Sequence, residues 1–327
     1  MRVLVTGSAG HLGEALMRTL PAAGHEPIGA DIKPSPFTQQ VGSIVDRAFV
    51  GQCMSGIDVV LHAATLHKPH VATHSRQDFI DTNVTGTLNL LEESARAGVR
   101  AFVFTSTTSV FGRALVPPAG APAAWITEEV APVPTNIYGI SKVAAEGLCE
   151  LFHHRFGLPG VILRTSRFFP EEDDRKETRD AYADLNVKAN EFLYRRADIQ
   201  DIVDAHLLAI ERAGALGFGR YIISATTPFT REDLAELRAA APAVVARRVP
   251  RYREVYAPRG WSMFPGIDRV YVNERARREL GWQPKYNFAA VLEQIAAGGP
   301  VASPLAQVVG SKGYHAETFD GAPYPVE

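Results

Sequence analysis

The stretch T-G-S-A-G-H-L-G occupies residues 6–13 and directly follows a compact apolar run, Val3 to Thr6. Its glycines, Gly7, Gly10 and Gly13, are spaced three and three, one residue longer than the G-x-G-x-x-G dinucleotide fingerprint. Glycines here allow a tight turn and a close approach of the backbone to a pyrophosphate. A helix N-terminus then offers N–H donors and a positive dipole end. The stretch therefore predicts a dinucleotide-binding site between a strand and a helix.

Outward from this stretch, short apolar runs alternate with helical patterns along the first half of the chain. The apolar runs lie at residues 27–30, 59–63, 101–105 and 161–163. The main helical patterns lie at 12–20, 78–97 and 138–156. Continuous apolar strands between helices are typical of a parallel sheet covered on both faces. We therefore expect an α/β protein with a Rossmann-type, doubly wound parallel sheet.

The second half of the chain is less regular, and it suggests a smaller C-terminal substrate-binding region. We expect the NAD-binding domain to span residues 1–166, with residues 196–225 returning to it. The substrate-binding region is then formed by residues 167–195 and 226–300. The remaining segment, 301–327, is rich in Gly and Pro, and we expect it to be an irregular tail.

Composition narrows the class of partner. Lys and Arg total 34 against 36 Asp and Glu, for a net charge of -2. The chain therefore has no excess of positive charge that would favour binding to nucleic acid or to an anionic membrane. No apolar run is long enough to span a bilayer, and the N-terminus enters the first strand without a signal-like segment. The two cysteines lie far apart in sequence and form no metal pattern. We expect a cytoplasmic protein that acts on a small molecule.

Asp31 ends the second predicted strand, about 20 residues beyond the glycines. A carboxylate there can accept a hydrogen bond from a ribose 2′-hydroxyl and would repel a 2′-phosphate. The residue favours NAD over NADP, although Lys33 two positions later could soften the preference.

Several further motifs follow in order along the chain. They are H-A-A at 62–64, N-V-x-G-T-x-N-L-L at 83–91, S-T-T-S-V-F-G at 106–112 and Y-G-I-S-K at 138–142. With the glycine stretch, they resemble the extended short-chain dehydrogenase/reductase family, in its nucleotide-sugar epimerase/dehydratase branch. The resemblance implies NAD as cofactor and a homodimer that pairs the helices at about 80–97 and 138–154.

The same resemblance implies a catalytic set. Tyr138 is the expected acid/base, Lys142 its partner one helical turn later, and Thr107 the third hydroxyl. A free phenol has a pKa of about 10, too high for a base at neutral pH. We expect the positive charge of Lys142 to favour the phenolate. Tyr138 can then take a proton from a sugar hydroxyl while hydride leaves the same carbon.

The resemblance also carries over a set of cofactor positions. These are Gly7, Gly10, His11, Leu12, Gly13, Asp31, Ser43, Ile44, Ala63, Ala64, Thr65, Asn83, Tyr138 and Lys142. Ser43 departs from the family, which usually has Asp beside the adenine.

Departures near the substrate positions bear on the reaction. Thr108 and Ser109 stand where related dehydratases have an acid pair, which argues against water elimination. Arg167 replaces the Asn that contacts the substrate diphosphate in nucleotide-sugar epimerases. It could bind a phosphate or carboxylate, or it could pair with the acids at 171–174. The expected substrate residues are Thr107, Thr108, Lys68 and Arg167.

The loop at 66–74 holds three histidines, but no acid or cysteine joins them at metal-ligand spacing, so we expect no metal. The predicted function is an NAD-dependent epimerase of a sugar or nucleotide-sugar. The alternative is an NAD-dependent dehydrogenase of a sugar, sugar acid or related alcohol. A cofactor-binding regulator without turnover is a weaker alternative, because the Tyr/Lys pair is intact.

Overall fold

A computed structural model describes residues 1–313 and contains a seven-stranded parallel sheet with the order β3-β2-β1-β4-β5-β7-β8. The strands are β1 (Arg2–Thr6), β2 (Glu26–Asp31), β3 (Gln40–Val41), β4 (Val59–His62), β5 (Ala101–Thr107), β6 (Ala124–Ile126), β7 (Gly160–Thr165), β8 (Phe218–Ile223) and β9 (Arg269–Tyr271). The order reverses between β1 and β4, and this switch point is where open α/β sheets bind ligands. The predicted Rossmann-type fold is confirmed.

Helices connect these strands. They are α1 (His11–Thr19), α2 (Arg47–Cys53), α3 (Arg76–Phe79), α4 (Gly86–Ala97), α5 (Ile137–Phe156), α6 (Lys176–Ala181), α7 (Asp184–Glu191), α8 (Ile199–Leu216), α9 (Leu234–Arg248), α10 (Tyr252–Tyr256), α11 (Phe288–Ala296) and α12 (Pro304–Val309). Shorter 3₁₀ turns lie at Leu20–Ala23, Lys68–His70, Thr108–Leu115, Arg231–Asp233 and Ala257–Arg259. Wider π turns lie at Ile80–Thr85 and Ala276–Leu280.

The two faces of the sheet bury separate apolar clusters, because alternate residues of each strand point to opposite faces. Val3 and Val5 join the cluster beneath α1 and α8, whereas Leu4 joins the cluster beneath α2, α4 and α5. Both clusters are fully covered, which explains why the strands read as continuous apolar runs in the sequence.

The helix predicted at 78–97 forms with one difference. It begins at Arg76, where Ser75 and Asp78 make a reciprocal capping box, and it widens into the π turn Ile80–Thr85 before α4. A π turn places one extra residue in a helical turn and is frequent at functional sites. The widened turn contains Asn83, one of the predicted site residues.

A third apolar cluster lies outside the sheet, among α7, α9, α10 and α11. A two-stranded parallel ladder of β6 and β9 borders it, pairing residues 124–126 with 269–271. The sequence did not indicate this ladder, because its strands are three residues long and about 140 residues apart. The boundaries proposed for the two regions stay a prediction.

The expectation of an irregular segment from residue 301 is wrong for α12. Ser303 caps this helix by accepting a hydrogen bond from the Ala306 amide at 3.1 Å, and its own amide donates to Asp198 at 2.8 Å. Val301 and Val309 are buried, so burial and capping outweigh the weak local pattern. The rest of that expectation, 314–327, lies outside the described residues. Within residues 1–313, no helix is long and apolar enough to cross a membrane.

Candidate active site

The glycine stretch forms a tight cradle between β1 and α1. Gly7 adopts a φ of 76°, a left-handed conformation that favours glycine, and its carbonyl accepts from the Gly10 amide at 3.0 Å. A Cβ added at Gly13 would lie 1.9 Å from the Gly7 oxygen. The first amides of α1, from His11, Leu12 and Gly13, have no acceptor within the helix and are suited to bind an anion. The cradle thus fits the pyrophosphate of a dinucleotide.

Asp31 lies at the carboxyl end of β2, beside this cradle. One carboxylate oxygen accepts from the Ala9 amide at 3.0 Å and the other from the Lys33 amide at 2.9 Å. These bonds fix the carboxylate at the place where a ribose hydroxyl is expected in this fold. Lys33, the residue that could soften the preference for NAD, is exposed to solvent.

Ser43 and Ile44 lie in the loop before α2. Ile44 is buried, and its carbonyl accepts from Asn89 Nδ2 at 3.0 Å. The Ser43 hydroxyl accepts from the Val45 amide at 3.2 Å. The serine thus shapes the turn, and the loop is tied to α4 through Asn89.

A buried hydrogen-bond chain that the sequence did not predict holds Ala64 after β4. The Ala64 amide donates to Thr6 Oγ1 at 3.2 Å, which lies 2.8 Å from His62 Nδ1. His62 Nε2 lies 2.9 Å from Thr87 Oγ1, whose proton goes to the Asn83 carbonyl at 2.7 Å. Burial lowers the pKa of His62 well below its usual value, so the imidazole is neutral. One ring nitrogen therefore donates a hydrogen bond and the other accepts one, which continues the chain from Thr6 to Thr87. His62 and Thr87 belong to two of the sequence motifs, but no pattern in the sequence indicated that their side chains bond to each other.

Asn83 connects the loop after β4 with α5. Its Oδ1 accepts from the Leu66 amide at 2.8 Å and lies 2.9 Å from the Thr65 hydroxyl. Its Nδ2 donates to the Leu66 carbonyl at 3.0 Å and to Ser141 Oγ at 2.9 Å. Ser141 in turn donates to the Tyr138 carbonyl at 2.9 Å. The amide of Asn83 is therefore committed to the protein, and it positions the residues predicted to line the cofactor.

Tyr138 lies in the first turn of α5, which Asn136 caps by accepting from the Gly139 amide at 3.0 Å. The Tyr138 side chain is buried, and the side chain of Thr107, the last residue of β5, interacts with its hydroxyl. Burial raises the pKa of Tyr138 to about 12, and Thr107 opposes that rise. The Ser109 amide donates to Thr107 Oγ1 at 3.1 Å, which leaves the Thr107 proton for the tyrosine oxygen.

Lys142 lies one turn further along α5 and is almost fully buried. Its ammonium donates to the Thr105 carbonyl at 2.7 Å and lies 4.2 Å from the centre of the Phe104 ring. Burial lowers the pKa of Lys142 to about 7, against the opposing charge of Glu146. The expected lowering of the Tyr138 pKa by Lys142 is not seen in the protein alone: burial of the phenol raises that pKa, and the opposing influence comes from Thr107.

Arg167 and Lys68, two of the predicted substrate residues, are engaged by acids. Arg167 Nη1 lies 3.2 Å from Asp173, and Lys68 Nζ lies 2.7 Å from Asp174. Asp173 also pairs with Arg195 at 2.9 Å. Of the two roles considered for Arg167, pairing with the neighbouring acids is the one seen. Thr108, by contrast, lies directly after Thr107 and is buried at the start of a 3₁₀ turn.

A buried ion network anchors this arginine-rich segment. Burial alone would raise the pKa of Glu191, but Arg195, Arg196 and Arg167 outweigh it and hold that pKa at about 2. Arg196 Nε donates to Glu191 at 2.8 Å. The network fixes the segment after β7 that contains Arg167.

Aromatic and imidazole rings connect the cradle with Tyr138. His11 stacks on Phe168 at 5.9 Å, Phe168 lies 4.5 Å from Phe169, and His67 lies 5.7 Å from Phe169 and 6.2 Å from Tyr138. Burial lowers the pKa of His11 to about 4. No cluster of His, Cys, Asp and Glu within residues 1–313 has the arrangement of a metal site.

Comparison with known proteins adds to this geometry. The sequence model of the NAD dependent epimerase/dehydratase family matches residues 3–223. UDP-glucose 4-epimerase of Streptomyces lividans is 27% identical over 89% of this chain and 94% of its own length. The 3-beta-hydroxysteroid dehydrogenase of Mycolicibacterium neoaurum is 27% identical over 87% of each chain. An uncharacterised protein of Sinorhizobium fredii, y4nG, is 35% identical over 49% of this chain but only 39% of its own length.

Proposed function

The chain belongs to the NAD-dependent epimerase/dehydratase family, and on this basis we propose that it epimerises a sugar or nucleotide-sugar by reversible hydride transfer. The observation that carries the proposal is the buried Tyr138 hydroxyl beside the Thr107 side chain at the carboxyl end of β5, with Lys142 one turn further along α5. A buried phenol and a second hydroxyl beside it can both hydrogen-bond to the same substrate oxygen.

Each residue of this set has a distinct part in the proposal. Thr107 and Tyr138 hold the reacting hydroxyl, and Tyr138 removes its proton and later returns it. Bound NAD supplies the hydride acceptor and a positively charged ring. With a Tyr138 pKa of about 12 in the protein alone, a further positive charge is needed before the phenolate can form near neutral pH. Lys142 lies one turn further along α5, where the family places the cofactor ribose, and with a pKa lowered to about 7 its amine is only partly protonated at neutral pH.

The cofactor contacts are proposals as well. Gly7, Gly10, His11, Leu12 and Gly13 would hold the pyrophosphate, and the carboxylate of Asp31 would bind the ribose of NAD. The loop of Ala63, Ala64 and Thr65, fixed by Thr6 and Asn83, would line the cofactor further along. Ser43 and Ile44 would border the adenine. Among the substrate residues, Thr107 and Thr108 are best placed, and Lys68 or Arg167 would have to exchange an acid partner for the substrate.

A dehydrogenase with net redox is the second candidate. One of the relatives is a 3-beta-hydroxysteroid dehydrogenase, which supports this candidate. In addition, Arg167 stands where nucleotide-sugar epimerases have the Asn that contacts the substrate diphosphate. Tyr138, Lys142 and Thr107 would act in the same way in both reactions. The two candidates differ in whether the hydride returns to the sugar.

One assay tests both candidates. Purified protein is incubated with NAD and a panel of UDP-hexoses, uronic acids and free aldoses, and the sugars are followed by proton NMR. A new stereoisomer without NADH build-up supports the epimerase, whereas NADH growing in step with an oxidised sugar supports the dehydrogenase. If no compound of the panel changed, the proposed sugar chemistry would be rejected.

Two further expectations accompany the proposal. A homodimer would pair α4 and α5 of two copies, and the exposed Ile140 and Leu151 on α5 lie eleven residues apart, on one helix face. Light scattering after size-exclusion chromatography would test it. The cytoplasmic location also stays a prediction.

A further inference from the structure

Glu146 is a buried carboxylate on α5, one helical turn after Lys142. Residues four apart lie on the same helix face, and the exposed fraction of each of these two is 2%. Arg164 on β7 holds the carboxylate with two bonds, from Nε to Oε1 at 3.0 Å and from Nη2 to Oε2 at 2.7 Å. The Ser106 hydroxyl on β5 donates to Oε1 at 2.6 Å. The carboxylate therefore has a fixed position between α5, β5 and β7.

Glu146 and Lys142 contact β5 at consecutive residues. The Lys142 amine donates to the Thr105 carbonyl, and Glu146 accepts from the hydroxyl of Ser106, the next residue. Thr107, one of the proposed catalytic residues, follows directly. An ammonium group has three N–H donors, of which the Thr105 carbonyl takes one, whereas a neutral amine has only two donors and a lone pair. The charge state of Lys142 thus sets how many donors it can offer to a ligand.

Three other titratable groups near Lys142 carry no charge at neutral pH. Burial lowers the pKa of His67 to about 3 and that of His62 well below its usual value, so both imidazoles are neutral. Burial raises the pKa of the Cys149 thiol, which is therefore protonated. Glu146, by contrast, opposes the effect of burial on Lys142 and favours its charged form.

The charges that face Glu146 from its other neighbours are partly balanced without it. Arg220 Nε on β8 lies 3.6 Å from Glu146, but its Nη2 donates to Glu150 at 2.6 Å. Glu146 is then shared between two buried cations, Arg164 and Lys142. A buried charge is costly without a partner, so the protonated form of Lys142 depends on this carboxylate.

From this arrangement we propose that Glu146 is a positioning residue that keeps Lys142 in its ammonium form, ready to donate to the hydroxyls of the cofactor ribose. The inference rests on the proposed function, which places that ribose at Lys142. Glu146 acts through Lys142 and touches neither substrate nor cofactor. Arg164 fixes the carboxylate but also competes with Lys142 for its charge, so removing Glu146 and removing Arg164 should have opposite effects on Lys142.

The charge of Lys142 can be followed without a substrate. Protein labelled with ¹³C at the lysine ε carbon is titrated by NMR, and the signal that is absent from Lys142→Met is assigned to Lys142. Glu146→Gln removes the charge and keeps an acceptor for Ser106, and Arg164→Gln removes the competing cation. Glu150→Gln is the matched control, because it makes the same change one turn further along α5, at the partner of Arg220. NAD affinity is measured against pH for the same proteins.

In the parent protein the Lys142 signal should titrate near pH 7. Glu146→Gln should lower this midpoint by at least about one pH unit, since a nearby opposite charge favours the charged form by about tenfold or more. Arg164→Gln should raise the midpoint, because the carboxylate is then left to Lys142 alone. Glu150→Gln should leave it unchanged.

NAD affinity should follow the charge of Lys142. In Glu146→Gln, the pH above which NAD affinity falls should move down by the same amount as the Lys142 midpoint. A purely structural role of Glu146 would instead weaken NAD binding equally at every pH.

A Lys142 midpoint in Glu146→Gln equal to that of the parent overturns the inference, and so does an NAD affinity that does not follow the midpoint. If Glu146→Gln does not fold, Arg164→Gln decides, because a midpoint at or below that of the parent overturns the inference as well. The sugar panel tests the proposed function separately, since neither titration uses a substrate. A parent protein that does not bind NAD rejects the proposed function and the inference together.

Discussion

Replacing Asn83 by Ala tests whether one side chain holds the loop after β4 and α5 together. The change removes the four hydrogen bonds of a buried amide: two with Leu66, one with Thr65 and one with Ser141. At about 1 kcal/mol net for each bond, the loss is about 4 kcal/mol. Water that enters the space of the missing amide would restore part of it, so we expect a loss of roughly 2–4 kcal/mol.

Thermal unfolding followed by circular dichroism provides the first readout. A loss of this size corresponds to a fall in Tm of roughly 3–6 °C for a chain of this length. Isothermal titration with NAD provides the second readout. Since Asn83 fixes the loop that lines the proposed cofactor site, we expect NAD affinity to fall by more than about tenfold, or about 1.4 kcal/mol.

Asn186→Ala is the matched control. Asn186 is equally buried and clamps Ser262 through two hydrogen bonds of 3.0 Å, but it does not contact the loop after β4. We expect it to lower stability by about 2 kcal/mol and to leave NAD affinity within about twofold. If Asn83→Ala bound NAD as tightly as Asn186→Ala, the positioning role of Asn83 would be refuted.

Three further predictions concern the cofactor and pH. Asp31→Ala should weaken NAD binding and spare NADP binding in parallel titrations, and unchanged selectivity would remove Asp31 from its role. An ultraviolet difference titration of the parent against Tyr138→Phe follows the ionisation of the Tyr138 phenol. Its midpoint should lie near pH 12 without NAD and at lower pH with NAD bound. A midpoint that does not move would contradict the proposed effect of the cofactor charge. His206, buried with a pKa lowered to about 4, binds fewer protons when folded than when unfolded, so its contribution to the free energy of unfolding falls as pH drops from 6.5 towards 4. His206→Gln should therefore flatten the loss of stability between pH 7 and pH 5, by up to about 1.4 kcal/mol per pH unit, in urea unfolding curves.

The sequence predicted the elements whose signals are local. The apolar runs and the glycine stretch indicated the parallel sheet, and the structure places Gly7, Asp31 and Thr107 at strand ends along the same edge. Each of these signals lies within a single strand or turn, which explains this success.

What the sequence missed depends on contacts between distant residues. The buried chain from Thr6 through His62 to Thr87 joins two strands and a helix, and no local pattern marks it. The pairing of Arg167 with Asp173 could be considered but not decided from the sequence, because it depends on how the loop after β7 folds back.

The pKa of Tyr138 shows the same limit more sharply. The spacing of Tyr138 and Lys142 suggested a lowered pKa, but burial of the phenol sets a value of about 12 in the protein alone. The effect of burial on the pKa of Tyr138 depends on all the residues packed around the phenol. The Y-G-I-S-K motif shows only its own five residues, so it could not predict this effect.

The measurement that tests the central claim most directly is the turnover of Tyr138→Phe on the sugar that the parent protein converts, followed by proton NMR alongside NAD titration. We expect NAD affinity within about twofold of the parent and turnover lower by a factor of about 10²–10⁴, the usual contribution of a positioned acid/base. Turnover at the parent rate would contradict it, and would show that the pair of Tyr138 and Thr107 does not carry the reaction.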